Sequence, residues 1–149
     1  MEELISSVSI INLILLISAH LFESIVLVPH WKSISVADFI DHYKGIGPRL
    51  TAFFTPITIA FILSILASVV SSDKNNPFQN EIILLITTLI FLYLIIYYKI
   101  FKRLNSEFYR GQFKPTELQG KLNKWERWHS FRVINEVIIL CLLILLTRG

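Results

Sequence analysis

Four runs of apolar residues, at about 4–28, 50–70, 82–100 and 131–146, decide what this chain of 149 residues can fold into. Each approaches the roughly 20 residues that an α-helix needs to cross ~30 Å of hydrocarbon. A soluble domain of this length cannot bury four such runs, and the composition agrees: 54% of residues are hydrophobic and only 17% charged, where ~25% charged is usual. Inside a bilayer the backbone must satisfy its own hydrogen bonds, which leaves helices or a closed barrel, and runs of this length read as helices. The sequence therefore predicts an all-α polytopic membrane four-helix bundle, with residues 1–149 as one domain. The single Cys141 excludes a disulfide framework, a Cys-rich zinc site and a Cys-x-x-Cys redox pair. The first run follows Met-Glu-Glu rather than a basic leader and has no small-residue cleavage site at its end, so it reads as a span.

Basic residues orient the bundle. Lys32, Lys44 and Arg49 follow the first run and nine more lie between Lys99 and Arg132, so twelve of the 14 Lys and Arg fall on one side, with Lys74 and Arg148 on the other. The positive-inside rule places that basic side in the cytoplasm and both termini outside (N-out, C-out). The net charge of +3 is a topology signal, and no nucleic-acid partner is expected. The first cytoplasmic connection, Ser35 to Lys44, has a Ser cap before it and Gly45 after it, which predicts a short interfacial helix, with Gly47-Pro48 restarting the chain into the second span. The residues 71–80 read as a plain turn, and the connection at 101–129 breaks at Gly111 and Pro115 while extending the third and fourth helices. The localisation that follows is multi-pass, in a cytoplasmic membrane of the bacterial inner-membrane kind.

Some residues do not belong in hydrocarbon. At about 100° per residue, Ser9, Asn12, His20, Glu23 and, if the helix persists past Pro29, His30 share one face of the first helix. Trp125, Trp128, His129, Arg132, Asn135 and Glu136 share one face of the fourth. Ionisable groups in lipid are costly unless they face protein or water, so the two stripes should face each other inside the bundle. With His30 and His129 level at the membrane surface, a rise of ~1.5 Å per residue puts Glu23 and Glu136 ~10 Å inside, Arg132 ~5 Å and His20 ~15 Å. Glu23, His20, His129, Arg132 and Glu136 then form a candidate catalytic cluster, with Arg132 paired to Glu23 or Glu136. Trp31, Trp125 and Trp128 fall where an interfacial aromatic belt is expected. Pro56, with Thr51, Thr55 and Thr58 nearby, predicts a kinked second span that could widen a cavity.

Three further segments carry a resemblance. Phe22–Pro29 ends the first helix in an apolar stretch plus Pro, Leu104-Asn105-Ser106 follows the third span, and Trp125-Glu-Arg-Trp128-His129-Ser-Phe-Arg132 opens the last helix. This layout resembles the anthrone-oxygenase-like family of small four-span membrane proteins. The resemblance implies oxidation of a polycyclic aromatic by dioxygen without an established cofactor, and it implicates Asn105, Trp128, His129 and Arg132, with Trp128 stacking on a flat substrate. Where that family has Pro-Leu-Asn this chain has Arg-Leu-Asn, and Glu136 and the His20/Glu23 pair lie outside the family pattern.

The function expected is thus an oxidoreductase or oxygenase-like enzyme acting on a hydrophobic aromatic or quinone-like molecule in a cytoplasm-facing pocket. Its base would be Glu23, Glu136 or His20, and its substrate-binding residues Asn105, Trp128 and His30. Two alternatives stand beside it: a small proton-coupled transporter, and a non-catalytic lipid-binding or assembly protein, which could be a homo-oligomer. No cofactor is expected. A metal is the alternative, on His20-x-x-Glu23 with His30, His129 and Glu136, although the interior has few carboxylates for a di-iron bundle. A bis-histidine haem would need His20 and His129 at one depth, and helical rise sets them ~15 Å apart.

Overall fold

The structure is a computed structural model that describes residues 2–71 and 76–147. The middle of the expected turn at 71–80, with Lys74, and also Arg148, lie outside the described residues. Four helices, each long and apolar enough to cross a membrane, account for nearly all of the rest: α1 (Leu4–Ser33), α2 (Val36–Val70), α3 (Pro77–Arg110) and α4 (Pro115–Leu146).

Local chemistry explains where they begin and end. Ser35 caps α2, its Oγ accepting from Asp38 N at 3.2 Å. Asn76 caps α3, its Oδ1 accepting from Phe78 N and Gln79 N, with Pro77 in the first turn, where no N–H is needed. Gly111 closes α3 in the left-handed conformation at φ 62°, so that Gly111 N and Gln112 N return to Phe108 O and Glu107 O. Pro115 then opens α4 with one 3₁₀ turn. Both breaks stand where Gly111 and Pro115 place them in the sequence.

The first connection departs from expectation. Residues 36–44 are helical, but the helix runs on without interruption through Gly45, Gly47 and Pro48 to Ser71. A glycine ends a helix when it turns left-handed, and among the described residues only Gly111 has a positive φ. Pro48 and Pro56 deprive the carbonyls of Lys44 and Ala52 of their usual donors without ending the helix. The predicted interfacial segment is instead the base of α2, with Phe39 and Tyr43 turned into the bundle and Asp38 and Asp41 on the solvated face.

Two helices contain a single π turn. In α1 it covers Glu23–Leu27, with Val28 N–H bonding Glu23 O; in α3 it covers Tyr97–Phe101, with Lys102 N–H bonding Tyr97 O. Each inserts one residue into the helical count. On α1 the inward face therefore passes from His20 and Glu23 to Val28 and Trp31, and on α3 from Tyr93 and Ile96 to Phe101, Leu104 and Phe108.

Packing places α1 between α2 and α4, and α4 between α1 and α3. Helices α2 and α3 meet mainly through the α3 segment Lys102–Arg110. Two apolar layers fill the bundle. One, toward the end where α2 stops and α3 starts, contains Leu13, Leu16, Phe61, Ile65, Ile86 and Ile139. The other, toward the basic end, is aromatic, with Trp31, Phe39, Tyr43, Phe101, Phe108 and Trp125. Ser9 ties α1 to α2 in the first layer through Ser64 O and Ser68 Oγ, both at 2.8 Å, the kind of small polar contact worth about 0.6–2 kcal/mol between membrane helices. Leu63, Val70, Leu84, Phe91 and Ile134 stay exposed on the outer surface, as lipid-facing positions would.

Candidate functional site

Between the two apolar layers lies a polar one. His20, Glu23, His129, Arg132, Asn135 and Glu136 are all buried there, drawn from α1 and α4 as their polar stripes require. Burial leaves each group dependent on its neighbours, so the hydrogen bonds fix the arrangement.

His129 is the hinge of the network. Its Nε2 lies 2.8 Å from His20 O, and a carbonyl only accepts, so Nε2 carries the hydrogen. Its Nδ1 faces Arg132 Nη2, and a guanidinium only donates, so Nδ1 presents a lone pair. This is the neutral imidazole in its Nε2–H tautomer. The ring stacks on Trp125 at 4.5 Å and 15°, and Trp125 Nε1 in turn donates to Asn105 Oδ1 at 2.9 Å. A chain of contacts thus runs from Asn105 through Trp125 and His129 to Arg132.

Arg132 also donates through Nη2 to Glu23 Oε2 at 3.4 Å, the pairing expected from the sequence. Its guanidinium carbon lies 4.3 Å from the centre of the Phe101 ring, which the π turn of α3 brings inward. Arg132 Nε is buried without a partner. The second carboxylate is held separately: His20 Nδ1 lies 3.0 Å from Glu136 Oε2 and 2.9 Å from Oε1, and one proton between them leaves Oε1 with no hydrogen bond of its own. His20 stacks on Phe54 of α2 at 4.9 Å, and Asn135 ties α4 to α3 by donating to Leu89 O at 3.2 Å.

A cavity of about 400 Å³ adjoins this cluster. His20, Glu23, Arg132, Trp125 and Asn105 form its inner wall, while Thr51, Thr55 and Thr58 of α2 and Tyr93, Tyr97 and Tyr98 of α3 line the rest. Trp125 stands on the fourth helix's stripe, but neither Phe54 and Tyr93 nor the depth of the threonine stripe follows from the polar-stripe argument. Pro56 with its three threonines is the one signal in the sequence that points there.

Several expectations need correction. His30 is exposed, its ring 5.4 Å from that of His42 and away from the cluster, because the π turn shifts the inward face from position 30 to Trp31. Trp128 is half-buried against Phe131 and does not line the cavity; the indole at the site is that of Trp125. Trp31 and Trp125 are buried in the aromatic layer, their rings 5.9 Å apart, so neither belongs to an interfacial belt. His20 and His129, set ~15 Å apart by helical rise, have ring centroids 5.3 Å apart. The rise estimate levels His30 with His129, whereas the pairs Lys32–Glu126 and Trp31–Trp125 level it nearer residue 126. Proximity does not make these two imidazoles an axial pair, since His129 Nε2 is committed to a carbonyl. Among the described residues no group of three or more His, Cys, Asp and Glu side chains is arranged to hold a metal ion.

Compared with known proteins, the chain matches no family model, no curated protein and no solved structure.

Proposed function

We propose that the protein is a multi-pass membrane enzyme of the oxygenase type, acting on a flat, hydrophobic aromatic or quinone-like molecule held in the cavity. The observation that carries this reading is that a carboxylate, Glu23, and a guanidinium, Arg132, share one wall of an aromatic-lined cavity inside the bundle. A carboxylate in that position can take a proton from an acidic C–H or phenol, and an adjacent guanidinium can hold the oxyanion that results. Asn105 and Trp125 offer a polar and a stacking surface beside them. For a ring methylene in an anthrone-type ketone, both C–H bonds break and one molecule of dioxygen takes the electrons. One of its oxygen atoms becomes the new carbonyl oxygen, and the other leaves as water with the two hydrogens. This is the chemistry that the resemblance to the anthrone-oxygenase-like family implies.

Transport is the weaker reading, because the layer of Leu13, Leu16, Phe61, Ile65 and Ile86 fills the bundle beyond the polar cluster. A carrier would need a path through it. The deciding measurement is oxygen uptake by the purified protein with anthrone-type ketones, expected to proceed with one dioxygen consumed per quinone formed. Saturable binding without uptake would replace the enzyme by a binding protein, and absence of both would leave a structural role.

The distribution of Lys and Arg supports a basic end in the cytoplasm. Cysteines introduced at Asn76 and Gln112 are expected to label from opposite sides of the membrane, Gln112 from the cytoplasm, and labelling of both from one side would end that topology.

A further inference from the structure

The cavity has a side that the proposed chemistry does not use. On α2 its lining recurs at Gly47, Thr51, Thr55, Ile59 and Ile62, one stripe of the helix, and on α3 it continues along Tyr93, Leu94, Tyr97 and Tyr98. Thr51, Thr55, Ile59, Tyr97 and Tyr98 are also exposed on the outer surface of the bundle. The two helices approach at Tyr43–Phe108, with rings 5.4 Å apart, and again at Phe61–Tyr93, with rings 6.0 Å apart. From Tyr43 to Phe61 is about 27 Å of α2 at helical rise, and the cavity lies within that interval. Gly47 helps to hold the lower closure, since a Cβ there would stand 3.0 Å from the Tyr43 ring.

Toward the basic end Trp31, Phe39, Phe108 and Trp125 pack as one buried aromatic cluster, and in the far half Phe61, Ile65 and Ile86 pack as a second, apolar one. The cavity is open sideways, toward the apolar surface that faces lipid. At its blind end Arg132 lines the cavity, its Nη2 bonded to Glu23 and His129, and a guanidinium with five N–H groups has donors to spare for an acceptor placed beside it. The rim carries Ile59 and Tyr98, both more than half exposed, beside Tyr97 and the short side chains of Thr51 and Thr55.

A wall that ends in a guanidinium, behind a mouth that opens on the bundle's apolar outer surface, fits a molecule with two unlike ends. We infer that the gap between α2 and α3 is a membrane-side portal that admits, head first, a lipid-soluble molecule with a flat, oxygen-bearing head and an apolar tail. The head oxygen accepts from Arg132, and the tail lies out between Ile59, Ile62, Leu94 and Tyr98. This rests on the reading of the cavity as a ligand site and adds the route and the shape of the ligand. The volume agrees: about 400 Å³ is near the lower end of the ~300–1,000 Å³ of small-molecule pockets, enough for a ring system with its tail outside.

The test uses the full chain in phosphatidylcholine nanodiscs and a 1,4-naphthoquinone carrying a long alkyl tail with a terminal diazirine. Irradiation is expected to label the peptides containing Ile59 and Leu94–Tyr98, and excess tailless naphthoquinone should suppress the label. Ile59→Phe, which adds bulk at the mouth of the portal without adding a tryptophan to the readout, should slow quenching of tryptophan fluorescence by the tailed quinone about tenfold or more. Arg132→Lys, which keeps the charge beside Glu23, should weaken the binding of both quinones. Label concentrated at 111–114 with quenching retained would overturn the portal and leave the ligand site standing. Label at the window that tailless quinone does not suppress would mean that an ordinary lipid chain fills the gap, which also overturns it. Failure of both quinones to quench or to label would instead remove the reading of the cavity as an aromatic ligand site.

Discussion

Replacing Arg132 by alanine is expected to destabilise the protein by about 3–5 kcal/mol, the range for breaking a buried ion pair from one side. The guanidinium lies between Glu23 Oε2, His129 Nδ1 and the face of Phe101, and it is buried. Its removal leaves the Glu23 carboxylate without a counter-charge and His129 Nδ1 without a donor. The cost comes mostly from the stranded carboxylate, not from a strong attraction in the intact pair, whose 3.4 Å separation is long for a charge-assisted bond. Glu23→Gln in the Arg132→Ala background should therefore recover a large part of the loss. Unfolding in mixed detergent, followed by circular dichroism for the two single variants and the double, measures the coupling. A loss below about 1 kcal/mol for Arg132→Ala would mean that water reaches the pair and that the interior is not dry.

The helix count and most of the polar cluster can be read in the sequence because they are conspicuous there. Four long apolar runs have no soluble explanation, and Glu23, Arg132 and Glu136 interrupt two of them. The breaks at Gly111 and Pro115 are equally plain. What cannot be read depends on register. One extra residue in each π turn moves Trp31 inward in place of His30 and brings Phe101 under Arg132, and nothing in the local composition marks either insertion. Along 82–100 nearly every residue is apolar, so periodicity does not single out Tyr93, Leu94, Tyr97 and Tyr98 as the residues that line the cavity. The aromatic residues near the basic end are equally ambiguous: a tryptophan close to a membrane surface suits a belt or a core, and only packing against Tyr43, Phe101 and His129 decides for the core. Gly45 and Gly47-Pro48 look like a stop and a restart, yet α2 continues through them, because an interrupted backbone near lipid would lack partners that water supplies elsewhere.

His129 illustrates how the structure changes an expectation about function. From the sequence it is one member of a candidate catalytic cluster. In the fold it is fully buried, donates to His20 O, accepts from Arg132 and stacks on Trp125. His129→Ala is now expected to lower stability and activity together, and it cannot separate a catalytic interior from a structural one.

Glu23→Gln can make that separation. The amide keeps an oxygen that accepts from Arg132 Nη2 and keeps the volume beside the cavity, so the folded state loses one charge and little packing. What it cannot do is take a proton. If Glu23 is the base of the proposed oxidation, turnover per folded molecule should fall by about 10²–10⁴-fold while quinone binding changes little; the unfolding midpoint falls as well, because Arg132 loses its counter-charge, but by less than in Arg132→Ala, since the amide oxygen still accepts from Nη2. Trp31→Phe supplies the comparison: its indole N–H has no partner and it does not line the cavity, so the smaller ring should leave turnover near that of the parent. Oxygen uptake, fluorescence quenching and detergent unfolding on the same two variants give the answer. Turnover within about threefold of the parent for Glu23→Gln would remove Glu23 as the base, since a general base contributes at least ~10². The proton would then have to leave through His20 and Glu136, whose pair shares the cluster and whose Oε1 has no hydrogen bond.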